Sequence, residues 1–165
     1  MDRQLYFYEY VRHTADDIVA TVTAPGSHLF QTATDHAVAG TDELRSRLHV
    51  NLGGFEVGRG VTIELGTPEQ RPYGVVIPIR WHATSHATLF PSMDAHLEIT
   101  TIDPALPLSQ LSILGSYHPP AGPAGAVGDR MLGHRLAEAA VRHFITELAA
   151  RLAALPSPTA PAAIV

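Results

Sequence analysis

Ten histidines and no cysteine set the side-chain chemistry open to this chain of 165 residues. Without cysteine there are no disulfides, no thiolate nucleophiles and no sulfur-rich zinc sites. Imidazole remains, as a metal ligand or as a group that takes and gives a proton near neutrality. His82 and His86 stand four apart, with Asp94 and His96 a little further on. Zinc accepts imidazole and carboxylate together, so these residues form one candidate ligand set. The plainer reading puts His82 beside Arg80, and His96 beside Glu98, on the polar faces of two strands, with His86 in a loop. That reading is adopted, and neither a metal nor a cofactor is expected.

His134 is a different case, because it falls on the apolar stripe of a long helix. There a histidine is either a core residue bonded to a carbonyl or a tyrosine, or a polar group in the wall of a ligand site. In the second role it orients a carbonyl or hydroxyl, or moves a proton. Tyr117 and Trp81 occupy strand positions from which they can meet it, each an apolar body with one polar tip. Ordinary core packing accounts for them equally. The run Gly53-Gly54-Phe55-Glu56-Val57-Gly58-Arg59-Gly60 looks like a phosphate loop, but neither a lysine nor a helix follows. It reads as a hairpin with a bulge. No serine sits in a Gly-x-Ser-x-Gly elbow.

Charge narrows the partners. The net charge is −5, and all eleven basic residues are arginines scattered along the chain. A nucleic-acid partner calls for a basic stripe, and none is present. An acidic balance also opposes docking on anionic lipid. No apolar run approaches the roughly 20 residues that cross a bilayer. Met1-Asp2-Arg3-Gln4 is not the basic opening of a signal peptide, so a cytoplasmic protein is expected. The lack of lysine amid abundant Ala, Gly, Pro and Arg suggests a bacterial genome rich in GC.

The elements that must hold these groups follow from periodicity. Leu5 to Val11 alternates as a strand, with Tyr6, Tyr8 and Tyr10 on one face and Leu5, Phe7, Glu9 and Val11 on the other. Composition does not decide which face is buried; if Glu9 points inward it needs a partner such as an arginine. Thr14 or Asp16 can cap a helix through Asp17-Ile18-Val19-Ala20, and Pro25-Gly26 interrupts it. A second short helix is expected over Ser27 to Val38, ending near Gly40.

From Glu43 to Pro119 the period becomes two. Leu48, Val50 and Leu52 alternate, then Val61, Ile63 and Leu65, with a polar turn from Gly66 to Pro72. Val75, Ile77, Ile79 and Trp81 share one face, as do Met93, Ala95, Leu97 and Ile99, and Leu111, Ile113, Gly115 and Tyr117. Arg80 and His82 then fall beside Asp94, His96 or Glu98 on the neighbouring strand, where opposite charges attract. A long helix is expected from Val127 or Asp129 to Leu155. Its stripe is His134, Ala137, Val141, Ile145, Leu148, Leu152 and Leu155, widened by Leu132, Leu136, Ala140 and Phe144.

One strand, short helices, a meander of about five strands and a long amphipathic helix make an α+β order. The length suits one domain over residues 1–155, with a Pro- and Ala-rich tail over 156–165 that is expected to be disordered. A meander with one apolar face needs a cover, and the C-terminal helix is the element long enough to give it. Small residues at the contact, Gly133, Ala137 and Ala140 against Ala95 and Gly115, are expected to leave an internal space.

The segment Val11 to Ala24, with Thr14-Ala15-Asp16-Asp17-Ile18-Val19, resembles the strand-to-helix junction of the START/Bet v 1-like (SRPBCC) superfamily. Val19 stands where that pattern usually has tryptophan, and no proline precedes the helix. Pro78-Ile79-Arg80-Trp81-His82-Ala83, Leu89-Phe90-Pro91, Gly115-Ser116-Tyr117-His118-Pro119-Pro120 and Gly133-His134-Arg135-Leu136-Ala137-Glu138-Ala139 resemble bacterial members of the group. The likeness spans residues 4–153 by element order. It implies a helix-grip fold, a curved antiparallel sheet wrapped around the C-terminal helix, and a hydrophobic molecule bound between them. The superfamily includes lipid-transfer domains, plant ligand-binding proteins, polyketide aromatase/cyclases and oxygenase subunits, and fold does not choose among them.

The expected ligand is a small lipid, polyketide or aromatic, lined by Phe55, Val75, Ile77, Ile79, Trp81, Met93, Leu97, Ile113, Tyr117, His134, Val141 and Phe144. An enzyme of the cyclase or aromatase kind, with His134 and Tyr117 placing and protonating the substrate, is the second expectation. A protein–protein adaptor using the outer sheet face is the third, and a broad apolar patch there favours it.

Overall fold

The computed structural model describes residues 3–47, 61–83, 92–118 and 130–156. Strand β1 (Arg3–Val11) leads into helix α1 (Ala15–Val22) through Thr14. The Thr14 hydroxyl accepts the Asp17 amide at 3.2 Å, which satisfies one of the free N–H groups of the first turn. Asp16 and Asp17 add negative charge where the helix dipole favours it. Gly26 then takes φ +79°, a left-handed turn residue before helix α2 (Leu29–Arg47).

Helix α2 runs well past Gly40, where the sequence suggested an end. The reason is a close helix crossing. A β-carbon on Gly40 would stand 3.0 Å from the ring of His143, so glycine sits there for contact rather than as a stop. Glu43 to Arg47, expected to open the meander, are therefore the last turns of this helix.

The remaining elements are β2 (Val61–Leu65), β3 (Glu69–Arg71), β4 (Gly74–Ala83), β5 (Ser92–Asp103), β6 (Leu108–His118) and α3 (Arg130–Ala153). The expected polar turn before β4 thus contains a short strand, its three residues all exposed, which pairs with the start of β4. Among the described residues six strands form one antiparallel sheet in the order β1-β6-β5-β4-β2, with β3 also on β4. The first strand thereby lies beside the last, and the β4–β5–β6 meander has the expected alternation.

Register brings matching residues into rows across the sheet. Val75, Ile99 and Leu111 form one inner row, and Ile77, Leu97 and Ile113 the next. Ile79, Ala95 and Gly115 follow, then Trp81, Met93 and Tyr117. On β1 the inner face is Leu5, Phe7, Glu9 and Val11, and the three tyrosines point outward. On the outer face Arg80 meets Asp94 at 3.0 Å, as strand alternation implied. The Asp94 hydrogen bond and charge, with help from Glu64, push the Arg80 guanidinium further up from its ordinary value. His82 turns instead to Glu64 on β2, at 3.9 Å.

The sheet bends at Gly115. A β-carbon there would come within 2.5 Å of the Ala95 β-carbon, where cross-strand neighbours ordinarily keep about 4.5–5.5 Å. Only a glycine–alanine pair fits so tight a concave face. Helix α3 packs on β1, β6 and α2 through Ala140, Val141, Phe144, Ile145, Leu148 and Leu152, all buried. Helix α1 covers part of β4 and β5 with Ile18 and Val22 buried. The architecture is α+β, a curved antiparallel sheet against a C-terminal helix.

Candidate functional site

The row Trp81–Met93–Tyr117 lies beside the bend, on the last turns of β4 and β6 and the start of β5. All three side chains are buried. The Phe144 ring of α3 stands 5.3 Å from Trp81 and 6.1 Å from Phe30 of α2, so sheet and both long helices meet in one aromatic cluster. His134, in the first turns of α3, stacks on Tyr117 with centroids 5.7 Å apart and planes 17° from parallel. Its Nδ1 lies 2.8 Å from the Tyr117 hydroxyl oxygen. Its Nε2 lies 3.0 Å from a carboxylate oxygen of Glu138, one helical turn on.

The Tyr117–Nδ1 contact is a hydrogen bond whose donor is set by the tautomer of the ring, and the Nε2–Glu138 contact is one of charge-pair distance. Exposure rises along this chain of groups: Tyr117 is 2% exposed, the His134 side chain 28% and that of Glu138 44%. The arrangement links a phenol in the apolar interior to a carboxylate at the surface.

Val75, Ile77, Ile79, Trp81, Met93, Leu97, Ile113 and Tyr117 all stand on the inner face of the sheet, with Val141 and Phe144 facing them from α3. Phe55 and Gly133's side of the contact lie outside the residues described in side-chain detail. Ile77, Leu97, Ala137 and Phe144 have no exposed surface at all, so no water-sized void adjoins them. Ala95, Ala137 and Ala140 therefore bring helix and sheet into close contact, and do not hold them apart. A groove of about 540 Å³ lies on the opposite face of the sheet, among Pro78, Arg80, Asp94, His96, Leu114 and Ser116. Side chains splay apart on the outside of a bend, and the groove follows from that. A smaller hollow of about 240 Å³ lies between α1 and the end of α3.

Glu9 does turn toward α3, but its partner is the Thr146 hydroxyl at 2.9 Å, not an arginine. Arg142 lies instead over the Phe7 ring, 5.3 Å from its centroid. Among the described residues no cluster of histidine, aspartate and glutamate has the makings of a metal site. His86 is outside them. Glu138 escaped notice in the sequence, although its spacing of four from His134 was the available signal.

No family model matches the sequence, and no curated protein matches it. Among solved structures, a conserved protein from Geobacillus kaustophilus is similar over 92% of this chain and 95% of its own, with 17% identity and a TM-score of 0.51. Zhui aromatase/cyclase from Streptomyces sp. R1128 aligns over 92% of this chain and 94% of its own, with 12% identity and a TM-score of 0.44. Truncated norcoclaurine synthase from Thalictrum flavum aligns over 94% and 96%, with 11% identity and a TM-score of 0.45. The fold is a helix grip, a curved antiparallel sheet against a C-terminal helix. Likeness at such identities concerns the fold, and function has to be argued from the site.

Proposed function

We propose that this protein binds a small hydrophobic molecule (a lipid, a polyketide or an aromatic) at the Tyr117 end of the inner face, between the sheet and α3. The observation that carries the reading is the Tyr117–His134 hydrogen bond at 2.8 Å, set in an otherwise apolar wall. The ligand enters as the close contact between α3 and the sheet opens there; Trp81, Met93 and Phe144 then supply the apolar surface, and Tyr117 with His134 supplies one polar point to orient a ligand carbonyl or hydroxyl. Ile77, Leu97, Ile113 and Val141 form the packed floor behind it. The working unit is one domain, acting in the cytoplasm without a metal, a cofactor or a nucleic acid. No helix among the described residues is long and apolar enough to cross a membrane.

Native mass spectrometry of the purified protein, with organic extraction of its cargo, tests this. The expected result is a small-molecule adduct whose removal shifts the fluorescence of Trp81, the single tryptophan. A bare protein whose Trp81 emission is unmoved by palmitate, 1-naphthol or a flavonoid overturns the reading.

The cyclase-like reading draws on the same pair, since a tyrosine bonded to a histidine is equipped to protonate a bound substrate. The adaptor reading draws on the outer face of β1. Tyr6, Tyr8 and Tyr10 are each about half exposed, pack on one another at 6.0 and 5.7 Å, and lie beside the exposed Leu114.

A further inference from the structure

We propose that the hollow between α1 and the end of α3 is a second binding site, and that it takes a small hydrophobic amine in its ammonium form. The site is separate from the inner face of the sheet and does not depend on a ligand there.

A buried imidazole marks it. His13 stands between β1 and α1, lines the hollow, and is 5% exposed. Its backbone carbonyl accepts the buried Ser109 hydroxyl at 2.8 Å, which anchors the residue to β6. Its ring, by contrast, has no hydrogen-bond partner among the described residues. Buried polar groups are ordinarily bonded, so a bare one in the wall of a hollow points to something that fills it. Either tautomer of a neutral imidazole keeps one nitrogen as an acceptor.

The other polar groups here accept as well. The Thr14 hydroxyl donates to Asp17 Oδ2 at 2.5 Å, and Asp17 Oδ1 has no partner among the described residues. The Thr21 hydroxyl spends its hydrogen on the Asp17 carbonyl at 2.7 Å, so its oxygen is left to accept. Pro156 lacks an N–H and cannot extend the backbone ladder of α3. The last carbonyls of that 24-residue helix therefore finish beside the hollow, where the helix dipole favours positive charge. Among the described residues no arginine lines the hollow. Arg151, in the last turn of α3, is turned instead to Glu147 at 2.7 Å and His36 at 3.2 Å.

Acceptors without a fixed cation select a ligand that donates hydrogen bonds and carries positive charge. An ammonium does both, and a carboxylate or phosphate is repelled. A zinc ion calls for three or four ligands, and no cluster among the described residues supplies them. Ile18, Leu152 and Leu155 wall the rest of the hollow, whose volume of about 240 Å³ has room for one ring or a short alkyl chain. The net charge of −5 draws cations at longer range.

Benzylammonium is the probe, with benzyl alcohol as its neutral and benzoate as its anionic counterpart. Amide shifts in nitrogen-15 NMR report place and affinity. The expected result is a benzylammonium titration with a Kd of about 1 mM or tighter, its shifts centred on His13 to Val22 and Leu152 to Leu155. Benzyl alcohol binds about 5-fold more weakly or less, benzoate does not bind, and salt weakens the ammonium alone. Asp17→Asn keeps an acceptor for Thr14 and loses the charge. Its affinity for benzylammonium falls about 5-fold, and that for benzyl alcohol holds. Ala20→Phe fills the hollow from an exposed helix position and abolishes the shifts with thermal unfolding unchanged. Equal binding of benzoate, wild-type affinity in Asp17→Asn, or shifts centred on Trp81 and Tyr117 overturns the site. So does a wild-type spectrum that benzylammonium leaves unmoved. The inner-face reading stands or falls separately, on Trp81 emission.

Discussion

The Tyr117 hydroxyl and His134 Nδ1 share a hydrogen bond of 2.8 Å, which joins the end of β6 to the first turns of α3. This bond ties the last strand to the helix that follows it. Tyr117→Phe removes the hydroxyl and keeps the ring stacked on the imidazole. The His134 side chain is 28% exposed, so water can reach the freed nitrogen. The loss of stability is then the net worth of an ordinary hydrogen bond, about 0.5–1.5 kcal/mol, read from urea unfolding. A loss well above that range means the hydroxyl holds more of the structure than this bond.

Gly115→Ala places a β-carbon 2.5 Å from that of Ala95 and 2.8 Å from the Asp94 carbonyl oxygen. Both obstacles belong to a central strand and neither can swing aside. The bend must open, at a cost of about 1–3 kcal/mol. Thermal unfolding should show a clear drop in Tm. An unchanged Tm means that the bend is not set by this pair.

The opposite sign is expected for Gly40→Ala. Its β-carbon would meet only the ring of His143 at 3.0 Å, and that side chain is exposed and free to turn outward. Replacing a mid-helix glycine gains up to about 1 kcal/mol in helix propensity. The variant should unfold at a higher temperature than wild type; a lower one shows that the His143 contact outweighs backbone entropy.

These two glycines mark where local pattern stops being informative. Alternation in Val75 to Trp81, Met93 to Ile99 and Leu111 to Tyr117 was readable because each strand buries one face, and the 3.6 period of α3 was readable for the same reason. The inward face of β1 was not, because tyrosine and phenylalanine suit either side and Glu9 suits neither. Gly40 reads locally as a stop, and its true partner is more than a hundred positions away in α3. The contact of Tyr117 with His134 was legible, because both fall on inward-facing positions of their elements. The Glu138 carboxylate beside it went unread, although its spacing of four from His134 was the signal.

Arg80 and Asp94 test how little an exposed ion pair matters. The Arg80 guanidinium is held up by the Asp94 hydrogen bond and charge. A raised folded pKa gives stability that is present below the unfolded value and lost as pH rises through the folded one. That window lies above the ordinary arginine range, so the group stays charged wherever the chain is folded. Both side chains are more than half exposed, and salt screens such pairs. Arg80→Gln should leave Tm unchanged within error, with the same result in high salt. A salt-dependent fall in Tm would assign the outer row a structural role.

Phe144→Ala tests whether the aromatic cluster is a packed wall. Phe144 has no exposed surface, and its ring stands 5.3 Å from Trp81 and 6.1 Å from Phe30. Truncation removes the contact that joins α3, α2 and the sheet. Its cost is the lost transfer energy plus that of the cavity, about 3–5 kcal/mol if the neighbours do not relax. Trp81 gives a second reading of the same change. If water enters the space, its emission moves to longer wavelength; if an apolar probe such as benzene fills the space, emission returns and part of the stability is recovered by mass action. A small loss of stability with unmoved emission would mean that α2 and α3 close over the gap, and that the wall behind Tyr117 yields readily to an incoming ligand.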